Sequence, residues 1–119
     1  MHQKMKTSNL NFNDGFLKCY KDKNQQSDFN APKNPKKFDD MTFVVELAFE
    51  EMSKREKDLT FAETLGRTLS MKVKTRLMED VTKKCKVVIN DMLYDVIYLD
   101  FNRKENLMYF YLEEVRKIA

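Results

Sequence analysis

From Met41 to Phe49 every second side chain is apolar: Met41, Phe43, Val45, Leu47 and Phe49 share one face of a period-two strand, while Thr42, Glu46 and Glu50 fall on the other. That spacing predicts a strand with one side turned to a core. Alternation returns in residues 70–76, with Met71 and Val73 inward and Lys72, Lys74 and Arg76 outward, as a strand with one wet face requires. Three more β-like runs follow at residues 85–89, 92–99 and 107–112, the last continuing towards Val115. Asn90-Asp91 joins the first two of these and residues 100–106 join the last two, so both joins read as antiparallel hairpins.

Upstream, Gly15-Phe-Leu-Lys-Cys-Tyr-Lys21 is a short apolar run, long enough for one strand. Residues 1–14 read as a flexible tail. Residues 22–40 contain both prolines and are dominated by polar, turn-forming side chains, so they read as a long loop. Between the two alternating strands, Thr60-Phe-Ala-Glu63 matches a capping box, in which the Thr hydroxyl accepts an early backbone N–H and Glu63 reaches back. A short helix is expected to start there, with Phe61, Ala62, Leu65 and Leu69 on one face and Gly66 placed to end its first turns in the left-handed conformation.

Six strands and one short helix in this order predict a mainly β fold, a small antiparallel β-barrel or rolled sheet. The 119 residues suit a single domain, over residues 15–119, and 42% hydrophobic side chains are enough for one core. Residues 107–112 pose a problem, because Leu107, Tyr109 and Tyr111 point one way and Met108, Phe110 and Leu112 the other. Both faces are apolar. Either the helix or another subunit must cover the second one, and the helix is the simpler choice.

Little in the sequence carries chemistry. His2 is the lone histidine and has no partner at ligand or triad spacing, so neither a zinc site nor a Ser/His or Cys/His pair is expected. Cys19 and Cys85 form no C-x-x-C and read as two reduced core residues. The acidic pairs Asp39-Asp40, Glu50-Glu51 and Glu113-Glu114 are neighbours in sequence; strand neighbours point to opposite faces and do not converge on a metal or substrate. Glycine occurs only at positions 15 and 66, which leaves no phosphate-cradling loop. The expectation is a protein that is not an enzyme and binds no cofactor or metal.

The formal net charge is only +3, and basic residues alternate with acidic ones along most of the chain. The basic clusters are residues 33–37, with Lys33, Lys36 and Lys37, then residues 83–86 with Lys83, and the set Lys72, Lys74 and Arg76. They suit a region near DNA or an acidic partner better than a sequence-reading site. No run approaches the roughly 20 apolar residues of a membrane-spanning helix, and residues 1–15 lack the apolar stretch of a signal peptide. No membrane role is expected.

Three segments carry a resemblance: Phe49-Glu-Glu-Met52 through Phe61-Ala-Glu-Thr-Leu-Gly-Arg-Thr-Leu-Ser-Met-Lys-Val-Lys-Thr75, then Met92-Leu-Tyr-Asp-Val-Ile-Tyr-Leu-Asp100 and Tyr109-Phe-Tyr-Leu-Glu-Glu-Val115. Their order resembles the head-closure proteins of long-tailed bacteriophages, also called head–tail joining, connector or stopper proteins. The similarity covers roughly the last two thirds of the chain and lies in strands and spacings, not in a catalytic signature. It implies a small β-barrel with a helix at its side, assembled as a homo-oligomeric ring, commonly of twelve, below the portal and adaptor. Such a ring closes the DNA channel, lets DNA pass without sequence-specific binding, and docks the tail. The implied location is the head–tail interface of the virion, with the bacterial host cytoplasm as the site of assembly.

By this resemblance, residues 22–40 and 77–83 are candidates for ring contact, channel closure or adaptor docking. The candidate residues are Lys33, Lys36, Lys37, Lys72, Lys74, Arg76, Glu79, Asp80, Lys83, Tyr109 and Tyr111. Two alternatives stand beside it. A tail terminator or other tail-completion protein has a similar size and β-rich pattern. A small nucleic-acid-binding barrel requires Lys72, Lys74 and Arg76 to share a face with exposed aromatics.

Overall fold

The alternating runs become strands in the computed structural model, which describes residues 12–22 and 41–118. Residues 1–11 of the expected tail and residues 23–40 of the expected loop lie outside the described residues. In chain order the elements are β1 (Gly15–Asp22), β2 (Met41–Met52), α1 (Glu56–Thr64), β3 (Met71–Arg76), β4 (Lys86–Ile89), β5 (Met92–Asn102) and β6 (Leu107–Lys117). The strand order is β1-β2-β3-β6-β5-β4, with every neighbouring pair antiparallel. β4 pairs back with β1 at Lys18, Cys19 and Tyr20, so the six-stranded sheet closes into a ring. Among the described residues the fold is mainly β with one short helix, as expected.

Closure gives every strand an inner face, and the inner faces make the main core. Leu17 and Cys19 of β1 meet Leu47 and Phe49 of β2, Val73 of β3, Val87 and Ile89 of β4, Val96 and Leu99 of β5, and Met108, Phe110 and Leu112 of β6. Residues 77–85 connect β3 and β4. Residues 77–83, read from the sequence as a polar loop, are not polar throughout, since Val81 is fully buried in this core and Leu77 and Met78 pack against it. Cys85, read as the start of the next strand, is buried just before β4 begins. The Leu77 N–H donates to the Asn106 carbonyl (3.0 Å), tying this loop to the β5–β6 turn at one end of the ring.

Three β-bulges break the simple alternation. Cys19 pairs with Val45 but Tyr20 pairs with Phe43, so Val44 is an extra residue in β2. The bulge corrects the expected single face of this strand. Val45, Leu47 and Phe49 stay with the inner side, but past Val44 the phase reverses, so Phe43 is 53% exposed and Met41 joins a separate cluster with Tyr20, Val88, Leu93 and Ile118. In β5, Val96 pairs with Leu112 and Tyr98 with Tyr111, leaving Ile97 extra; in β6, the pairs Leu93 with Arg116 and Tyr94 with Glu114 leave Val115 extra.

The helix also starts earlier than the sequence pattern indicates. The Arg55 N–H donates to Asp58 Oδ2 (3.0 Å), which caps the first turn, so Thr60 lies inside α1 and the expected capping box does not form the N-terminus. The Asp58 carboxylate at the third helical position takes the reach-back role expected of Glu63, five residues downstream. The C-terminus ends as expected. Gly66 adopts φ +70°, its N–H donates to the Glu63 carbonyl and the Arg67 N–H to the Ala62 carbonyl, the paired bonds of a Schellman motif. The β4–β5 hairpin turns on Asn90 (φ 50°) and Asp91 (φ 65°), both left-handed as a two-residue type I′ turn requires.

Two predictions follow from this framework. Both cysteines are free and buried, and burial, with a smaller contribution from Cys85, pushes the Cys19 thiol up to about 12. In the native protein neither thiol should react with a thiol reagent in mildly alkaline buffer, whereas both should react in denaturant; titration before and after unfolding checks this. Gly66→Ala meets open space but places a side chain at left-handed φ, so it should lower stability by about 1–2 kcal/mol in denaturant unfolding.

Candidate interaction surface

The outer wall over β3, β6 and β5 is where the helix lies. Ala62 and Leu69 pack there against Ile97 and Tyr111, with Tyr109 at the border. This accounts for the two-sided last strand: Met108, Phe110 and Leu112 fill the ring interior, while Tyr109 and Tyr111 lie under the helix side. The Ile97 bulge prepares the same wall. It turns Tyr98 outward opposite Tyr111, so that Ile97 and Tyr98 both serve the outer surface.

Two polar clamps fix the helix to this wall. At its N-terminal end, Lys72 Nζ donates to Asp58 Oδ2 (3.1 Å), the oxygen that also accepts the Arg55 N–H. Both side chains are buried, and the Lys72 ammonium lies 5.0 Å from the Tyr111 ring centroid and 5.9 Å from that of Tyr109. Burial alone raises the Asp58 pKa, but the Arg55 N–H and the Lys72 ammonium outweigh it and hold the carboxyl below its ordinary range. Burial likewise pushes the Tyr111 phenol up, with Lys72 opposing it.

The second clamp follows the helix. Arg67 pairs with Glu113 and with Asp95 (3.1 Å), Asp95 also accepts Lys86 Nζ (2.6 Å), and the Thr68 N–H donates to Glu113 (3.1 Å). The Ser70 N–H then donates to the Leu112 carbonyl (2.8 Å), and Ser70 Oγ accepts the Glu114 N–H (2.9 Å). The segment leaving the helix is thereby stitched to β6.

Between the clamps an aromatic cleft opens. Phe61, Tyr98 and Tyr111 meet edge to face, with centroid separations of 5.2 Å (Phe61 to Tyr98), 5.6 Å (Tyr98 to Tyr111) and 6.4 Å (Phe61 to Tyr111). With Lys57 and Asp58 these rings line a cavity of about 210 Å³. Leu59 of α1 and the C-cap residue Leu65 are also exposed. Among the described residues, no three His, Cys, Asp or Glu side chains are grouped as a metal site requires.

The candidate residues named from sequence distribute unevenly around this wall. Lys33, Lys36 and Lys37 lie outside the described residues. Lys72, expected on a wet face, is instead buried beneath the helix, because Asp58 supplies the compensating charge. Lys74 pairs with Glu50 (3.0 Å). Arg76 is exposed, with its guanidinium 5.7 Å from the Phe12 ring, and the Asp14 carboxylate accepts the Glu51 N–H (2.7 Å). Phe12 and Asp14, placed by the sequence reading in the tail, are thus attached to the ring. Glu79 pairs with Arg103 at the end of the ring, and Asp80 and Lys83 are exposed on the same loop as Glu79. Tyr109 and Tyr111 belong to the helix-covered wall.

Sequence reasoning missed Asp58, Lys57 and Tyr98. The helix start expected at Thr60 leaves Lys57 and Asp58 outside the helix, and Tyr98 falls in a β-like run to which the sequence reading assigns no face. The signal for Tyr98 was present: Val96, Ile97, Tyr98 and Leu99 are four consecutive apolar side chains, which a strand with one wet face does not accommodate without a bulge.

Lys72→Met should cost about 3 kcal/mol at neutral pH, because it leaves the Asp58 carboxylate buried without its cation. The sign with pH follows from the lowered Asp58 pKa. In the wild type this carboxylate stabilises the fold above the ordinary carboxylate pKa of about 3.9 and loses that contribution as pH falls through its depressed native value. In Lys72→Met, protonation removes the uncompensated charge, so the gap to wild type should narrow in acid; urea unfolding across acidic pH measures it. Compared with protein-family models and with curated proteins, the chain has no match.

Proposed function

We propose that this protein is a structural connector of a tailed phage or prophage particle: a head-closure subunit that forms a ring below the portal and adaptor, closes the DNA channel and docks the tail. The observation that carries the reading is the helix laid against the side of a closed six-stranded antiparallel sheet, inserted between β2 and the alternating β3. That is the arrangement which the resemblance to head-closure proteins implies. A second support is the outer surface, which combines an aromatic patch with a helix fixed at both ends, properties suited to contact with other subunits. The nucleic-acid reading loses ground on one point: Lys72 and Lys74 are held by Asp58 and Glu50, so the basic face of β3 is largely neutralised.

The reading is tested by deleting the gene from its inducible element and examining the lysate by electron microscopy. The expected outcome is heads without attached tails, free tails beside them, packaged DNA lost from the heads, and rescue by the gene supplied in trans. Tailed, infectious particles in the deletion, or a gene set within a metabolic operon, would overturn it.

A further inference from the structure

The exposed aromatic side chains lie on two walls that face away from one another. In the closed order β1-β2-β3-β6-β5-β4, strand β1 is diametrically opposite β6, and β2 is opposite β5. The cleft of Phe61, Tyr98 and Tyr111 stands on the β5–β6 side. Phe16 and Phe43 stand on the β1–β2 side. Phe16 is the most exposed large hydrophobic among the described residues, at 62%. Its exposure has a structural cause: β4 pairs with β1 only at residues 18–20, so Phe16 has no β4 neighbour, and its partner on β2 is the small Ala48. Phe43, by contrast, already packs edge to face on Tyr20.

The cleft can receive such a side chain. It is an open cleft of about 210 Å³, with room for a ring to lie against its lining. Three ring surfaces offer edge-to-face contacts. The charges at its base argue against a cationic guest, because Asp58 is already neutralised by Lys72 and Lys57 adds a second positive charge at the lining. An uncharged aromatic ring fits this environment and an ammonium or guanidinium group does not.

We infer that Phe16 of one copy inserts into the Phe61–Tyr98–Tyr111 cleft of the next, making a head-to-tail contact between copies of this chain. The inference rests on the ring reading for its biological use. Two different surfaces on opposite walls make a heterologous interface, which propagates from subunit to subunit instead of ending at a dimer. A ring of many members turns little from one subunit to the next, so it needs its two lateral surfaces on nearly opposite walls. The placement of Phe16 and the cleft meets that need.

The test uses the full chain in sedimentation velocity across a concentration series, comparing wild type, Phe16→Asp, Phe61→Asp and an equimolar mixture of the two variants. Wild type should give a mass that rises beyond dimer with concentration. Each variant alone should associate at least about 30-fold more weakly, the loss typical of an aromatic hot spot. The mixture should form a 1:1 dimer and nothing larger, because each variant keeps one of the two surfaces intact. Tyr98→Ser replaces Phe61→Asp should the latter not fold, as judged by near-ultraviolet circular dichroism. A wild type that stops at dimer, a mixture that does not pair, or a wild type monomeric at every concentration overturns the contact. None of these results decides the connector role, which the gene deletion tests separately.

Discussion

Strand β6 is apolar on both faces, and much of the architecture answers that single constraint. An isolated antiparallel sheet leaves one side in water, which Tyr109 and Tyr111 on one face and Met108, Phe110 and Leu112 on the other cannot tolerate together. Closing the sheet removes one face from solvent and α1 covers the other. The helix is therefore less an ornament on a ring of strands than the second half of the solution. Its own amphipathicity is poor: of its nine residues only Asp58 and Ala62 are buried, so docking depends on polar anchors as much as on apolar area.

Those anchors explain why a lysine is found in an otherwise apolar interface. Lys72 lies under the helix with Asp58 above it and two tyrosine rings beside it. A buried ion pair contributes little net stability compared with well-packed apolar side chains, but it is intolerant of misregister, because a one-residue slip leaves two charges unpaired. The pair defines where along β3 the first turn of the helix sits. The Arg67–Glu113–Asp95–Lys86 network does the same for the segment that follows.

Much of this fold was legible in the sequence. Period-two patterning located the strand at residues 70–76 and short apolar runs those at 85–89 and 107–112, the Asn-Asp turn fixed one hairpin, and Gly66 marked the helix end. What was not legible were the points where alternation changes phase. A bulge costs one residue and reverses the sidedness of the strand beyond it, and its position depends on partners that are distant in sequence, such as Cys19 and Tyr20 across from Val44. That is why Phe43 was misassigned and the outward turn of Tyr98 was not foreseen, while Val73 and Phe110 kept their faces. The helix start was obscured for a different reason: the charged run before Leu59 looks like a solvated connection until Asp58 is seen to cap it and to meet Lys72. The aromatic cleft, built from an unexpected bulge and an unexpected cap, was the least legible part.

The two clamps have a kinetic consequence for any partner of the helix-covered wall. Because both ends of α1 are tied to strands, the rings of Phe61, Tyr98 and Tyr111 hold their relative angles before anything arrives. The entropy of arranging that surface is lost when the chain folds and not again on encounter. Recognition of any partner at this wall is then a rigid-body event, governed by how often the partner arrives in the right orientation and not by a slow rearrangement after contact.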